Sequence, residues 1–258
     1  MPGEGLKIDR RRSRILELLS RDGRVWVAQL SEELGATPVT IRSDLTALER
    51  DGYLERIKGG AVKTASSSYN IDFRHRKQAS SAEKKRIAAA VASMIRDGDS
   101  LMINSGTTTY YVAMELHRCK NLSVITNSLA VATELGGQPS IRVILLGGEI
   151  NAQFGFTSGI DAHEQIGKYW ADYAILSMDG VSAERGITNK HGEEVLINQL
   201  MVRRASKTIV VADRSKLGRD SFSVVAGIKD VDHLVTSGEL SPEEREEFTR
   251  KGVEVTCV

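Results

Sequence analysis

The sequence predicts an α/β protein: a small N-terminal winged helix-turn-helix, then a larger domain on a mostly parallel sheet. Three observations carry this. Residues up to about 63 hold short helical stripes and then a basic hairpin; residues 64–70 are small and polar without periodicity; from residue 79 helix-like and strand-like segments alternate. The boundaries are therefore drawn at 1–63 for the helical module, 64–78 for the linker and 79–258 for the α/β domain.

Asp9 is placed to cap a first helix whose apolar stripe is Ile15, Leu18 and Leu19, and Asp22-Gly23 ends it. Val25-Trp26-Val27 is a short extended piece before a second helix, with Leu30 and Leu34 inward and Gly35 at its end. Thr37-Pro38 opens a third. A hydroxyl cap is followed by proline at the first helical position, where its missing N–H costs nothing. That helix runs to Arg50 and stops at Asp51-Gly52, and residues 53–62 read as two strands around a glycine turn, a wing. In the larger domain a helix around Ile87, Val91 and Ile95 precedes strand-like runs at 100–104, 122–126, 142–146, 173–177, 208–212, 233–236 and 253–257. Strands apolar almost throughout belong in a parallel sheet covered on both faces.

On the third helix Ile41, Leu45 and Leu48 share one face, so the opposite face is outward. It carries Val39, Arg42, Ser43, Thr46 and Arg50. A short helix with small groups, hydroxyls and arginine outward can enter a DNA major groove. Pro38, Val39, Thr40, Arg42 and Ser43, in its first turns, are the candidates for base contact. Arg11, Arg12, Arg50, Arg56, Lys58 and Lys63 are candidates for phosphate contact, which positions without reading sequence. The glycines of Arg56-Ile57-Lys58-Gly59-Gly60 would let backbone approach phosphate closely. The plain alternative is a solvated basic face, or a winged helix that binds protein.

Asn104-Ser105-Gly106-Thr107-Thr108-Thr109 follows an apolar strand and opens a helical segment. Converging N–H groups, hydroxyls and a helix start suit a phosphate, so Ser105, Gly106, Thr107, Thr108 and Thr109 are its candidate cradle. Thr126-Asn127-Ser128 ends the second strand, Gly147-Gly148-Glu149 the third; Asp179-Gly180 lies past the fourth, and Asp213 with Lys216 past the fifth. In an open parallel sheet these carboxyl ends gather on one edge, where ligands bind. Cationic and N–H groups suit the phosphate of a polyhydroxy phosphate; carboxylates and an amide suit its hydroxyls. Taken singly, each is also an ordinary helix cap or turn residue.

The stretches at 25–30, 40–45, 48–54 and 59–61 resemble the N-terminal signature of the DeoR family of repressors. The resemblance continues through Glu83-Lys84, Gly106-Thr107-Thr108, residues 125–128, residues 146–149, Asp179-Gly180-Val181, Glu194-Val195 and residues 212–216, from about residue 9 to 258. It implies a second domain with a fold like ribose phosphate isomerases and coenzyme A transferases. It also implies a repressor of a carbohydrate or polyol operon, controlled by a phosphorylated sugar or related metabolite. By that resemblance Gly106, Thr107 and Thr108 hold the phosphate, with Asn127, Asp179, Glu194 and Lys216 near the sugar. Asn104, Ser128, Gly148, Glu149, Gly180 and Asp213 complete the candidate sugar side. The chain departs from the family at Ser43, where a second arginine is usual, at Lys58, where histidine is common, and at Asn104, where many relatives have aspartate. Ser177-Met178 and Ser237 are further departures. They bear on operator and effector identity.

Composition bounds the alternatives. The formal net charge is +1, so DNA binding requires a local basic surface. Cys119 and Cys257 are far apart in sequence and form no Cys-x-x-Cys pair. No metal, cofactor or catalytic residue is expected. The longest apolar runs are too short to span a bilayer, which places the protein in the cytoplasm. Double-stranded operator DNA is the expected macromolecular partner, and two-fold operators favour a homodimer or homotetramer. Two competing readings are an isomerase-like or transferase-like enzyme using Asp179, Glu194 and Lys216, and a metabolite module that signals through a protein partner.

Overall fold

The computed structural model describes residues 2–63, 73 and 76–258, with side chains from Arg10 onward. The predicted linker, 64–78, lies outside the described residues except for 73 and 76–78. The chain divides into two compact units between Arg76 and Lys77, apart from residues 152–154.

The first unit contains α1 (Pro2–Asp22), β1 (Arg24–Trp26), α2 (Val27–Leu34), α3 (Pro38–Arg50), β2 (Glu55–Ile57) and β3 (Gly60–Val62). Helix α1 starts at Pro2, so Asp9 lies inside it and does not cap it. The other boundaries follow their local chemistry. Thr37 Oγ1 accepts from the Thr40 amide at 3.2 Å with Pro38 just inside the helix. Gly35, at φ 59°, ends α2 in the left-handed conformation that glycine reaches without penalty. The core joins Ile15 and Leu19 of α1, Leu30 of α2, and Ile41, Leu45 and Leu48 of α3. Strand β3 pairs antiparallel with both β1 and β2, making a three-stranded wing sheet in the order β1-β3-β2.

The second unit begins with α4 (Ser81–Met94), β4 (Ser100–Ile103), α5 (Thr107–Glu115), β5 (Leu122–Thr126), α6 (Leu129–Gly136) and β6 (Ile141–Leu145). A hairpin of β7 (Glu149–Asn151) and β8 (Phe156–Ser158) leads through α7 (Ile160–Ile166) to β9 (Ala171–Ser177). Then come β10 (Gly180–Ser182), β11 (Gly186–Asn189), α8 (Val195–Arg203), β12 (Ala205–Ala212), β13 (Ser223–Ala226), β14 (His233–Thr236), α9 (Pro242–Thr249) and β15 (Glu254–Cys257). Seven strands form one parallel sheet in the order β15-β14-β12-β9-β4-β5-β6.

Alternation along the strands divides the core between the two sheet faces. Leu101, Ile103, Ile175, Ile209 and Val211 pack in one buried cluster, while Met102, Ala174, Leu176, Val210 and Ala212 pack in the other. Both faces are therefore covered by apolar packing, as the near-continuous hydrophobic strands require. From β4 the chain winds outward through β5 and β6, then returns to lay β9, β12, β14 and β15 on the other side. Strand order thus reverses between β4 and β9, and a crevice opens at the carboxyl ends of such a pair. The β7–β8 hairpin and the small sheet β10-β11-β13 were not anticipated; their segments are three or four residues long, too short for a period to show. Among the described residues no helix is long and apolar enough to cross a membrane.

Candidate functional site

Helix α3 has the two faces its spacing demands. Ile41, Asp44, Leu45 and Leu48 are buried, whereas Pro38, Val39, Arg42, Ser43, Thr46 and Arg50 are exposed. Val39 is 71% exposed although apolar, which suits a residue awaiting a methyl group. Thr40 is half-buried, its hydroxyl 2.9 Å from that of Thr37.

The phosphate candidates divide into two groups. Arg50 and Lys58 are exposed, and Lys63 is half-buried. Arg56 is exposed but oriented: its Nη1 donates to Thr46 Oγ1 at 2.9 Å and its amide to Glu49 Oε1 at 2.8 Å, tying the wing to α3. Arg11 and Arg12 correct the expectation of simple phosphate ligands. Both are half-buried, and their Nε atoms donate to the two oxygens of buried Asp44, at 2.5 and 2.9 Å. This ion triad fastens α1 to α3. Sequence reasoning missed Asp44, although position 44 continues the buried spacing 41, 45, 48. Gly60 also has an internal reason to be glycine: a Cβ there would lie 2.1 Å from the Val25 carbonyl oxygen.

In the second unit the carboxyl ends of β4, β5 and β9 bring the loop 104–109, Asn127 and the segment after Ser177 to one sheet edge. Gly106 precedes α5 as a cap with no side chain, so among the described residues the amides of the first turn have no capping acceptor. Helix α6, starting at the same edge, is capped by Ser128 Oγ, which accepts from the Val131 amide at 3.3 Å. Gly106 is required by close approach: a Cβ would meet Ser177 Cβ at 2.7 Å. Ser105 and Gly106 are half-buried; Thr107 and Thr108 are buried.

Several expected ligand groups have partners within the fold instead. Thr109 is buried, and its hydroxyl donates to the carbonyls of Asn104 and Gly106, at 2.9 and 3.0 Å, so it braces the loop. Asn104 is buried between strands: its Oδ1 accepts from the Ser177 amide at 2.9 Å and its Nδ2 donates to the Ser177 carbonyl at 3.0 Å. Ser128 serves as the cap just described. Asp213 Oδ1 accepts from the Ser215 amide and hydroxyl, making it a turn residue. Gly180 and Gly148 are packing glycines, since a Cβ would lie 2.5 Å from the Arg219 carbonyl oxygen and 2.3 Å from that of Ser158.

Asn127 is different. Its Nδ2 donates to the Thr157 carbonyl at 3.3 Å, which leaves Oδ1 buried without a partner among the described residues. On α8, Asn198 is also fully buried; its Oδ1 accepts from Asn104 Nδ2 at 3.2 Å and its Nδ2 has no partner among the described residues. Sequence reasoning missed Asn198, and noted Ser177 only as a departure from the family, not as the backbone partner of Asn104. A polar residue between Ile197 and Met201, both buried, was the available signal. Asp179 and Glu149 are exposed, Glu194 and Lys216 half-buried, and Asp179 Oδ2 accepts from the Lys190 amide at 2.9 Å.

Residues 11–67 match the DeoR-like helix-turn-helix domain, and residues 79–238 match the DeoR C terminal sensor domain. The uncharacterized HTH-type transcriptional regulator YulB of Bacillus subtilis (strain 168) is 33% identical over 96% of this chain and 96% of its own. The glycerol-3-phosphate regulon repressor of Escherichia coli (strain K12) is 33% identical over 90% of this chain and 91% of its own. Among solved structures, ribose 5-phosphate isomerase A of Methanocaldococcus jannaschii aligns with a TM-score of 0.40 and 16% identity, over 54% of this chain and 55% of that one. That last likeness is too distant to bear on function.

Proposed function

The chain belongs to the DeoR family of helix-turn-helix transcription regulators, and from that premise we propose that it is a repressor whose operator affinity is set by a phosphorylated sugar or polyol. Helix α3 carries the base-reading residues Pro38, Val39, Thr40, Arg42 and Ser43. Arg50, Arg56, Lys58 and Lys63 neutralise phosphates around it, with only the Nη groups of Arg11 and Arg12 left to contribute.

The effector lies at the sheet's switch point. Its phosphate takes the amides of Ser105, Gly106, Thr107 and Thr108 at the uncapped start of α5, where the helix dipole favours an anion. Asn127, Asp179, Glu194, Glu149 and Lys216 face its remaining groups. The observation that carries this reading is the pair of buried, unpartnered amide atoms, Asn127 Oδ1 and Asn198 Nδ2, on strand and helix neighbours of the phosphate loop. A fold rarely leaves such atoms unpaired, and a polar ligand supplies what they lack. The glycerol-3-phosphate named for one relative is of the same chemical class. A homodimer or homotetramer matches the two-fold symmetry of operators.

A thermal-shift screen of phosphorylated sugars and polyols beside their unphosphorylated forms tests the reading, because a specific ligand stabilises the folded chain by mass action. The phosphorylated member of a pair should raise the melting temperature. Equal stabilisation by both members would reject an anion site.

A further inference from the structure

Asn104 has its amide orientation fixed from two sides. Its Oδ1 accepts from the Ser177 N–H at 2.9 Å and its Nδ2 donates to the Ser177 C=O at 3.0 Å. Turning the amide over would set donor against donor and acceptor against acceptor at β9, so Nδ2 must be the atom that also faces Asn198, at 3.2 Å. Only an acceptor can answer it. Asn198 is therefore held with Oδ1 inward and Nδ2 away from Asn104, where it finds no partner although the residue is 0% exposed.

We propose that Asn198 is a specificity residue of the effector cleft, its Nδ2 donating to a ligand oxygen, and that Asn104 sets this polarity from behind. The proposal rests on the phosphorylated-effector reading and narrows it. The ligand presents an accepting oxygen, of a phosphate or carbonyl group, toward α8, and a hydroxyl donor toward Asn127 Oδ1 on the β5 side. Aspartate at 104 would reverse the arrangement. Its carboxylate still accepts from the Ser177 amide, but it draws Asn198 Nδ2 inward and turns Oδ1 toward the ligand, so an accepting oxygen meets an acceptor.

The test uses the full chain, with inorganic phosphate, glycerol 3-phosphate and dihydroxyacetone phosphate as probes, and the variants Asn198→Leu, Asn104→Asp and their double. Leucine removes the donor without adding charge, and Asn104 keeps both bonds to Ser177. Without probe, Asn198→Leu loses a buried unpaired donor but also takes the acceptor from Asn104 Nδ2 at 3.2 Å, so the two effects oppose and its melting temperature serves as the reference for the double variant. With the probe that stabilises wild type most, the affinity of Asn198→Leu should fall roughly tenfold or more, with operator binding intact. Asn104→Asp should weaken binding in the wild-type background and add little in the Asn198→Leu background, since polarity reversal needs Asn198. An equal loss in both backgrounds would mean charge repulsion alone and would overturn the proposal. So would unchanged affinity in Asn198→Leu. If wild type responded to none of the probes, the phosphorylated-effector reading would fail on its own account. The probe-free melting of the four chains would still decide the polarity claim: Asn104→Asp should cost more in the Asn198→Leu background, where no amide can turn its Nδ2 to the carboxylate, and an equal cost in both backgrounds would overturn it.

Discussion

Replacing Asp44 by alanine tests the ion triad that joins α1 to α3. The carboxylate is 3% exposed and accepts from the Nε of both Arg11 and Arg12. A hydrogen bond to a charged group contributes about 1.5–3 kcal/mol, so two would contribute about 3–6. The arginine side chains are 21% and 27% exposed, however, and water takes over part of their solvation once the carboxylate is gone. That reduces the expected loss to about 2–3 kcal/mol, still large for so small a unit. The chain has two tryptophans, and only Trp26 lies in the first unit, so a Trp170→Phe background makes its emission report that unit alone. With a urea dependence of about 1 kcal/mol/M for a module this size, the midpoint should fall by about 2–3 M. A shift under about 0.5 M would refute the assignment, and Arg11 and Arg12 would return to being plain phosphate ligands.

Arg42→Ala should cost about 1–3 kcal/mol on the cognate operator and relax preference at one base pair, whereas Lys58→Ala should weaken cognate and random DNA alike; mobility shifts on both DNAs separate the two. Gly106→Val should abolish effector-induced stabilisation while operator binding persists, because its side chain would occupy the space Ser177 Cβ already fills; a retained thermal shift would argue against the cradle. Burial holds the His233 imidazole below its usual pKa of 6.5, opposed by Glu254 and assisted by Lys207. The unfolded chain then takes up a proton that the folded chain resists, so stability is present above about pH 6.5 and is lost as pH falls toward the depressed value. Urea midpoints between pH 5 and 7.5 should show this slope, and His233→Gln should flatten it.

Much of the architecture was legible because it rests on periodicity. The central sheet strands carry apolar runs such as Leu101-Met102-Ile103 and Ile209-Val210-Val211-Ala212, and α3 carries its stripe at 41, 45 and 48. The hairpin 149–158 and the β10-β11-β13 sheet were not legible, since strands of three or four residues are too short to show a period, and β11 meets β13 only after a helix and a sheet strand have intervened. The candidate site was legible as an address only. Sequence placed the loop 104–109 and Asn127 at one sheet edge, but could not say which polar atoms the fold itself would use. Thr109 donates to the Asn104 and Gly106 carbonyls and Asp213 accepts from Ser215, both bonds within their own turns, whereas Asn104 is taken up by the backbone of Ser177, which is far off in sequence and which only the fold brings to 2.9 Å. Asn198 was hidden for a related reason. Its significance is a bond it does not make.

The central claim is that one molecule holds operator and effector in energetic contact, and reciprocity tests it most directly. Calorimetric titration of effector with and without operator, and of operator with and without effector, measures the same coupling twice. The account predicts that both affinities shift by one factor per equivalent site, roughly 5–150-fold, in the direction set by whether effector releases or recruits DNA. Effector binding equally well with and without operator, while operator affinity does not move, would contradict it.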